Sequence, residues 1–212
     1  MTDNIEVFTQ SSIRINSEAG IIYLDPIKIP GQPHDADFIL ITHDHYDHFS
    51  AEDIEKIVKP ESVLIIPEKM ADQAKEIVHL VGSIETVTPE NHYTVKGLEF
   101  ETVPAYNLIK PFHPKKAGWV GYILLVNGKR IYVAGDTDMT KENKQVRCDI
   151  AMIPIGGTFT MDAKKAAELV NCITPDVVIP IHYGSIVGKE EDADTFASFV
   201  KPPVKVEIKI VF

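Results

Sequence analysis

Between His43 and His48, the segment ITHDHYDHFS (residues 41–50) places three histidines and two aspartates in six positions. Neutral imidazole and carboxylate are donors suited to zinc and similar borderline divalent ions. In a non-helical segment, residues two apart can point to one side, so His43 and His45 can face one ion. Asp47 and His48, as the chain turns into a following helix, would face a neighbouring point. The competing reading is a solvated, histidine-rich surface turn. The apolar run DFILIT (37–42) directly ahead argues against it, because loops at the ends of buried strands are held by the sheet and open onto a crevice.

A metal site needs more than one segment. IYVAGDTD puts Asp136 immediately behind another strand, with Gly135 permitting close approach, and VVIPIHYG puts His182 behind a third. A single His or Asp at a strand end is usually structural. Two of them, in a chain that already carries the cluster, are read together with it. No GxSxG nucleophile motif is present.

Positioning these groups requires buried strands with helices between them. GIIYLDP (20–26), DFILIT (37–42) and SVLIIP (62–67) are short apolar runs rich in β-branched residues, as buried strands are. Ser50 and Asp53 open a helix that must stop before Pro60. EKMADQAKEIVHLV (68–81) predicts a second amphipathic helix. Strands follow from Ile84 to Val103, turning at Lys96-Gly97, and WVGYILLV and RIYVAG flank Asn127-Gly128 as a hairpin. The last third predicts a strand at 149–155, a helix near 161–173, a strand at 176–181, a helix near 192–200 and a closing strand VKVEIKIVF (204–212). Both halves read as strands followed by βα units, which predicts an α/β fold of two similar layers within one domain, 1–212.

Composition narrows the function. Of 212 residues 44% are hydrophobic and 25% charged, ordinary for a globular protein, and the net charge of −10 argues against a nucleic-acid partner. No apolar run reaches the ~18 residues of a membrane span, and the N-terminal MTDNIEVFTQ has acids where a secretory signal needs bases, so the expected location is cytoplasmic. Cys148 and Cys172 lack CxxC spacing and read as reduced, core or near-core thiols.

Thr42-His43-Asp44-His45-Tyr46-Asp47-His48 resembles the HxHxDH signature of the metallo-β-lactamase superfamily. Gly135-Asp136-Thr137 and Ile181-His182 are similar to its later motifs, in order, and Asp25-Pro26 resembles a recurring early turn. VPAYN, GWVGYILLVNGKRIYVAGDTD and IPIGGTFTMDAKKAAE further resemble its compact, stand-alone metal-dependent hydrolases of unassigned substrate. The resemblance implies a four-layer αββα sandwich with two divalent metal ions at one edge between the sheets. By position it implies His43 and His45 as ligands of a first ion, Asp47, His48 and His182 of a second, and Asp136 as the bridge. One place departs: where the family has a histidine after "PA", this chain has Asn107. His113, six residues on, is the expected substitute, and His92 a poorer one.

Two such ions about 3.5–4 Å apart share a hydroxide whose pKa falls towards ~7. Asp47 could orient it or pass a proton to the leaving group, and His182 would help fix the metals, so both are candidate catalytic residues. Tyr183 could donate to a developing oxyanion, but a packed ring is the preferred reading. Lys110, Lys115 and Lys116 could hold an anionic group of the substrate, although loop lysines are more usually just solvated. The expected activity is hydrolysis of a small ester, lactone or phosphodiester, with zinc as the default metal and manganese or iron as alternatives. The rival is a non-catalytic metal-binding sensor or scaffold, for which Asn107 is the support. A β-lactamase reading conflicts with the lack of an export signal and a flavodiiron reading with His45. A glyoxalase-like reading would need an added helical portion. Homo-oligomerisation is left open.

Overall fold

The computed structural model describes residues 1–210. Thirteen strands form two sheets that repeat one plan. In the first, β1 (Ile5–Val7), β2 (Ile13–Ser17) and β3 (Gly20–Leu24) run antiparallel, then β4 (Phe38–Leu40), β5 (Val63–Pro67) and β6 (Ser83–Val87) continue in parallel. In the second, β7 (His92–Val95), β8 (Leu98–Pro104), β9 (Val120–Val126) and β10 (Lys129–Val133) form a meander. There β11 (Ile150–Pro154), β12 (Val177–Ile181) and β13 (Lys205–Val206) are added in parallel. Antiparallel neighbours can join by tight turns, whereas parallel ones need crossovers, which is why the α-helices of the described residues lie in the second part of each plan. Asn127 and Gly128 take positive φ, 51° and 72°, as a type I′ hairpin turn requires.

Period-two alternation divides the first sheet between two cores. Ile22, Leu24, Phe38, Leu40, Val63 and Ile65 point into the space between the sheets. Tyr23, Ile39, Ile41, Leu64 and Ile66 face outward, where Ile54 and Ile57 of α1 (Ala51–Ile57) cover them. Ser50 caps α1, accepting from the Asp53 amide. On the second sheet, α2 (Ala163–Ile173) presents Ala166, Leu169, Val170 and Ile173 to the sheet side and packs beside α3 (Asp192–Phe199). The layers are therefore helix, sheet, sheet, helix: the expected α/β sandwich. No helix among the described residues is long and apolar enough to cross a membrane.

Several expectations need correction. The helix predicted over 68–81 is three short 3-10 turns, Glu68–Met70, Gln73–Glu76 and Val78–Leu80. Met70, Ala74 and Ile77 keep the helical apolar spacing and are buried. The β-branched pair Ile77-Val78 disfavours continuation, and Ile77 leaves helical space at φ −116°, ψ 1°. The closing strand is confined to Lys205–Val206, followed by contacts with the N-terminal segment in which Glu207 meets the Thr2 hydroxyl and Lys209 the Thr2 carbonyl. Residues 211–212 of that expectation lie outside the described residues. Strands β1 and β2 were not expected. Cys172 is exposed on α2, not near the core, while burial pushes the half-buried Cys148 thiol up to about 12.

Candidate metal centre

Five strand ends converge on one edge. Asp25 follows β3, the segment 43–48 follows β4, and Asp136 and His182 follow β10 and β12. The loop after β8 supplies His113. Bringing Asp136 inward requires β10 to end against Thr42. Gly135 allows this at φ 64°, since a Cβ there would lie 3.1 Å from the Val120 carbonyl and 3.2 Å from Thr42 Cβ. His182 adopts a left-handed φ of 57° and its amide donates to the Gln10 carbonyl at 2.8 Å. A non-glycine residue in that region carries strain of about 1–3 kcal/mol, a feature of sites the surrounding fold enforces.

The seven expected donors come together. Three groups place their ligand atoms within 4.8 Å of one another: His43, His45 and His113; His43, His48 and Asp136; and Asp47, His48 and His182. His43 Nε2 and His45 Nδ1 are 3.1 Å apart. Asp136 lies at the centre, with the Nε2 atoms of His48, His113 and His182 at 3.4, 3.3 and 3.3 Å from its carboxylate oxygens. Asp47 Oδ2 is 3.4 Å from His182 Nε2 and 3.8 Å from His48 Nε2. Donors about 2.0–2.1 Å from a tetrahedral zinc stand about 3.3–3.4 Å from one another. The observed separations fit that spacing. His92 is elsewhere, exposed on β7 beside Glu101.

The hydrogen bonds behind the rings fix which nitrogen is free. Asp25 accepts from the Thr42 amide at 2.8 Å and the Thr42 hydroxyl at 2.7 Å. Since that hydroxyl spends its proton on Asp25, its contact with His43 Nδ1 at 2.9 Å must be accepted from the ring. Asp25 also takes the Nδ1–H of His48 at 2.7 Å. Asn107 donates its Nδ2 to the Phe159 carbonyl at 2.9 Å, so its Oδ1 accepts from His113 Nδ1 at 3.0 Å. The Nδ1 protons are thus held on the outer side and each Nε2 faces inward, the arrangement that orients metal-binding imidazoles. The buried Nε2 atoms of His48, His113 and His182 and Oδ1 of Asp136 have no hydrogen-bond partner among the described residues. Buried polar atoms left unpaired are costly, and a cation at their focus would satisfy all of them.

Electrostatics support the same use. Burial, reinforced by His48, holds His43 well below its ordinary value. His45 is lowered by burial and by His113. Both are therefore in the neutral, donor form. Burial opposes a charge on His48, but Asp136 and Asp25 raise it well above the usual imidazole range. Burial likewise opposes ionisation of Asp136, yet His182 and His48 hold its carboxyl well below the usual carboxylate range. A proton on His48 thus stands where a metal cation can replace it.

Tyr183 is a packed ring, as expected: it is fully buried in the core, burial raises its hydroxyl to about 12, and the acids acting on it are Asp194 and Glu190. Two of the three lysines are paired with acids. Lys110 pairs with Asp138 at 2.7 Å and also meets the Thr160 carbonyl. Lys115 pairs with Glu142 at 2.7 Å, and against the effect of burial Lys115 and Tyr106 hold that carboxyl at about 2. Lys116 is exposed and its carbonyl meets Lys69. Asn107 was read only as a departure, and Thr42 and Trp119 were not singled out. Trp119, the chain's one tryptophan, has ring centroids 5.1, 5.0 and 5.5 Å from those of His43, His45 and His113. Asn107→Ala is expected to weaken metal binding about 10–100-fold, because His113 loses the acceptor that orients it. Competition titration with a chromogenic chelator measures this, and unchanged affinity would contradict the role given to Asn107.

A family model described as a beta-lactamase superfamily domain matches residues 4–182. Over 216 residues, 94% of this chain and 92% of the relative, the sequence is 32% identical to a UPF0173 metal-dependent hydrolase of Methanosphaera stadtmanae. A crystal structure of a Parabacteroides distasonis protein is similar with a TM-score of 0.81 at 27% identity, covering 98% of this chain and 93% of that one. Igni18, a metallo hydrolase of Ignicoccus hospitalis, gives 0.75 over 98% and 95% of the two chains at 20% identity, a likeness of fold alone.

Proposed function

We infer the reaction from one premise: the chain belongs to the beta-lactamase superfamily and, within it, to the UPF0173 metal-dependent hydrolases. The reading is hydrolysis of a small ester, lactone or phosphodiester at a pair of divalent ions. Zinc is the choice favoured by the donor set, and manganese or iron are accommodated by the same nitrogens and oxygens. His43, His45 and His113 would hold one ion, Asp47, His48 and His182 the other, and Asp136 would lie between them. The observation that carries this is the focus of three unpaired Nε2 atoms on one buried carboxylate.

When bound, such a pair supplies a water deprotonated near neutral pH and polarises the oxygen under attack. The chain's own groups do the rest. Asp25, Thr42 and Asn107 hold the imidazoles in one orientation. Asp47 lines the cleft beside the cluster. Despite burial, contact with His182 and the charge of His48 keep its carboxyl below the ordinary range. It is therefore an ionised acceptor, able to take a proton from the attacking water and pass it to the leaving group. The alternative of a non-catalytic sensor drew on Asn107, which the hydrogen bond to His113 accounts for.

The test is metal-dependent turnover. Protein stripped with chelator and reloaded with zinc is assayed on p-nitrophenyl acetate, a chromogenic lactone and bis-p-nitrophenyl phosphate. Trp119 fluorescence follows loading, since its ring adjoins three of the donors. Turnover that disappears with the metal and returns with it is expected. A saturable fluorescence change without hydrolysis of any substrate would favour the sensor.

A further inference from the structure

Immediately outside the donors is a cleft of about 220 Å³ lined by His45, Tyr46, Asp47, Phe112, Asp136 and Phe159. Half of that lining is the donor set and the other half is aromatic. Phe112 and Phe159 meet edge to face with centroids 4.7 Å apart and planes at 90°. Phe112 is 44% exposed and Tyr46 is 75% exposed. Exposed rings gathered at the mouth of a polar site are what a small-molecule pocket uses to hold the apolar part of its ligand. The wall is tied to the centre through Asn107, whose amide holds the Phe159 carbonyl with one end and His113 with the other. The nearby Lys110 and Lys115 are each paired with a carboxylate. An anionic substituent would meet no free lysine among the cleft-lining residues.

We propose that the substrate is an uncharged carboxylic ester or lactone bearing an aromatic or bulky aliphatic group, which seats against Phe112, Phe159 and Tyr46 beside the scissile carbonyl. This rests on the hydrolytic reading above and narrows it away from phosphodiesters. In the reaction the oxygen of water bonds to the carbonyl carbon, the bond from that carbon to the leaving oxygen breaks, and the leaving oxygen takes a proton. Acid and alcohol result, or a hydroxy acid from a lactone, with no change of oxidation state.

The test compares p-nitrophenyl phenylacetate with p-nitrophenyl acetate and bis-p-nitrophenyl phosphate on zinc-loaded protein, in wild type, Phe112→Ala, Phe159→Ala and the double variant. Thermal melting checks that each variant is folded. A second readout, independent of turnover, is the affinity of phenylacetohydroxamate relative to acetohydroxamate, followed by Trp119 fluorescence. Seating a phenyl ring on these side chains is expected to favour the phenyl compound by about tenfold or more in kcat/KM and in affinity. Both ratios are expected to fall towards one in the double variant. A hydroxamate ratio near one in wild type, a ratio unmoved in the folded double variant, or preference for the phosphodiester would overturn the proposal. If no ester is hydrolysed while the hydroxamate ratio is present and lost on substitution, the hydrolytic reading fails and the seat for an uncharged aromatic group stands.

Discussion

Asp136→Asn is expected to lower hydrolysis by about three orders of magnitude, equivalent to about 4 kcal/mol, and to reduce the metal bound per chain. The substitution keeps the shape of the side chain, so packing around the buried position should survive. What changes is charge and donor character. Among the described residues, Asp136 is the acid within 3.3–3.4 Å of His48, His113 and His182 together, and so the one placed to serve both halves of the centre. An amide there offers a single oxygen, and its N–H groups would point at imidazole lone pairs or at the ions themselves. It also removes the negative charge that draws a cation into a buried cluster of neutral imidazoles. Steady-state kinetics and elemental analysis of the same preparation measure both effects. Activity within tenfold of wild type at full metal content would remove Asp136 from its central place.

Asp25→Ala is the second large effect, although Asp25 is at no separation from which it could touch substrate through the cleft: it is fully buried behind the rings. Its two oxygens accept from the Thr42 amide, the Thr42 hydroxyl and His48 Nδ1 at 2.7–2.8 Å. Through Thr42 it also sets the His43 tautomer. Removing it leaves three buried donors without an acceptor and puts alanine at a φ of 45°, which asparagine or aspartate tolerates better. Loss of about 3–5 kcal/mol of stability is expected, with a melting temperature lower by on the order of 10 °C. Metal affinity should fall about 10–100-fold. Asp25→Asn keeps the shape and the backbone compatibility and should lose less stability, while still disturbing His48. Urea unfolding of the stripped protein and chelator competition separate the two effects, and a stable Asp25→Ala protein with wild-type affinity would contradict this role.

The donors were legible because their chemistry is local. His43, His45, Asp47 and His48 occupy one short loop, and Asp136 and His182 each stand directly behind an unbroken apolar run, so the sheet decides where they meet. His113 was legible only by analogy with the position that Asn107 occupies. What ties it in is a long-range hydrogen bond and the path of a loop, neither of which has a periodic signal. Asp25 and Thr42 carried less signal still, since a single aspartate behind a strand looks the same whether it supports an imidazole or caps a turn. The pairing of Lys110 and Lys115 was hidden for a similar reason: their charge is visible in the sequence, but the partners Asp138 and Glu142 are not adjacent to them. The 68–81 segment misled because apolar spacing reports a buried face, which a chain of 3-10 turns can also provide. Strand β1 is only three residues long, while β2 (Ile13–Ser17) does alternate apolar and polar residues, a period-two signal that was present in the sequence and overlooked.

The most direct test of the whole account is anomalous diffraction from crystals of the zinc-loaded protein, recorded on both sides of the zinc absorption edge. Two peaks about 3.5–4 Å apart are expected, one bounded by His43, His45 and His113, the other by Asp47, His48 and His182, with Asp136 touching both. Loaded crystals with no peak inside this cluster, or with the imidazoles turned away from Asp136, would contradict it.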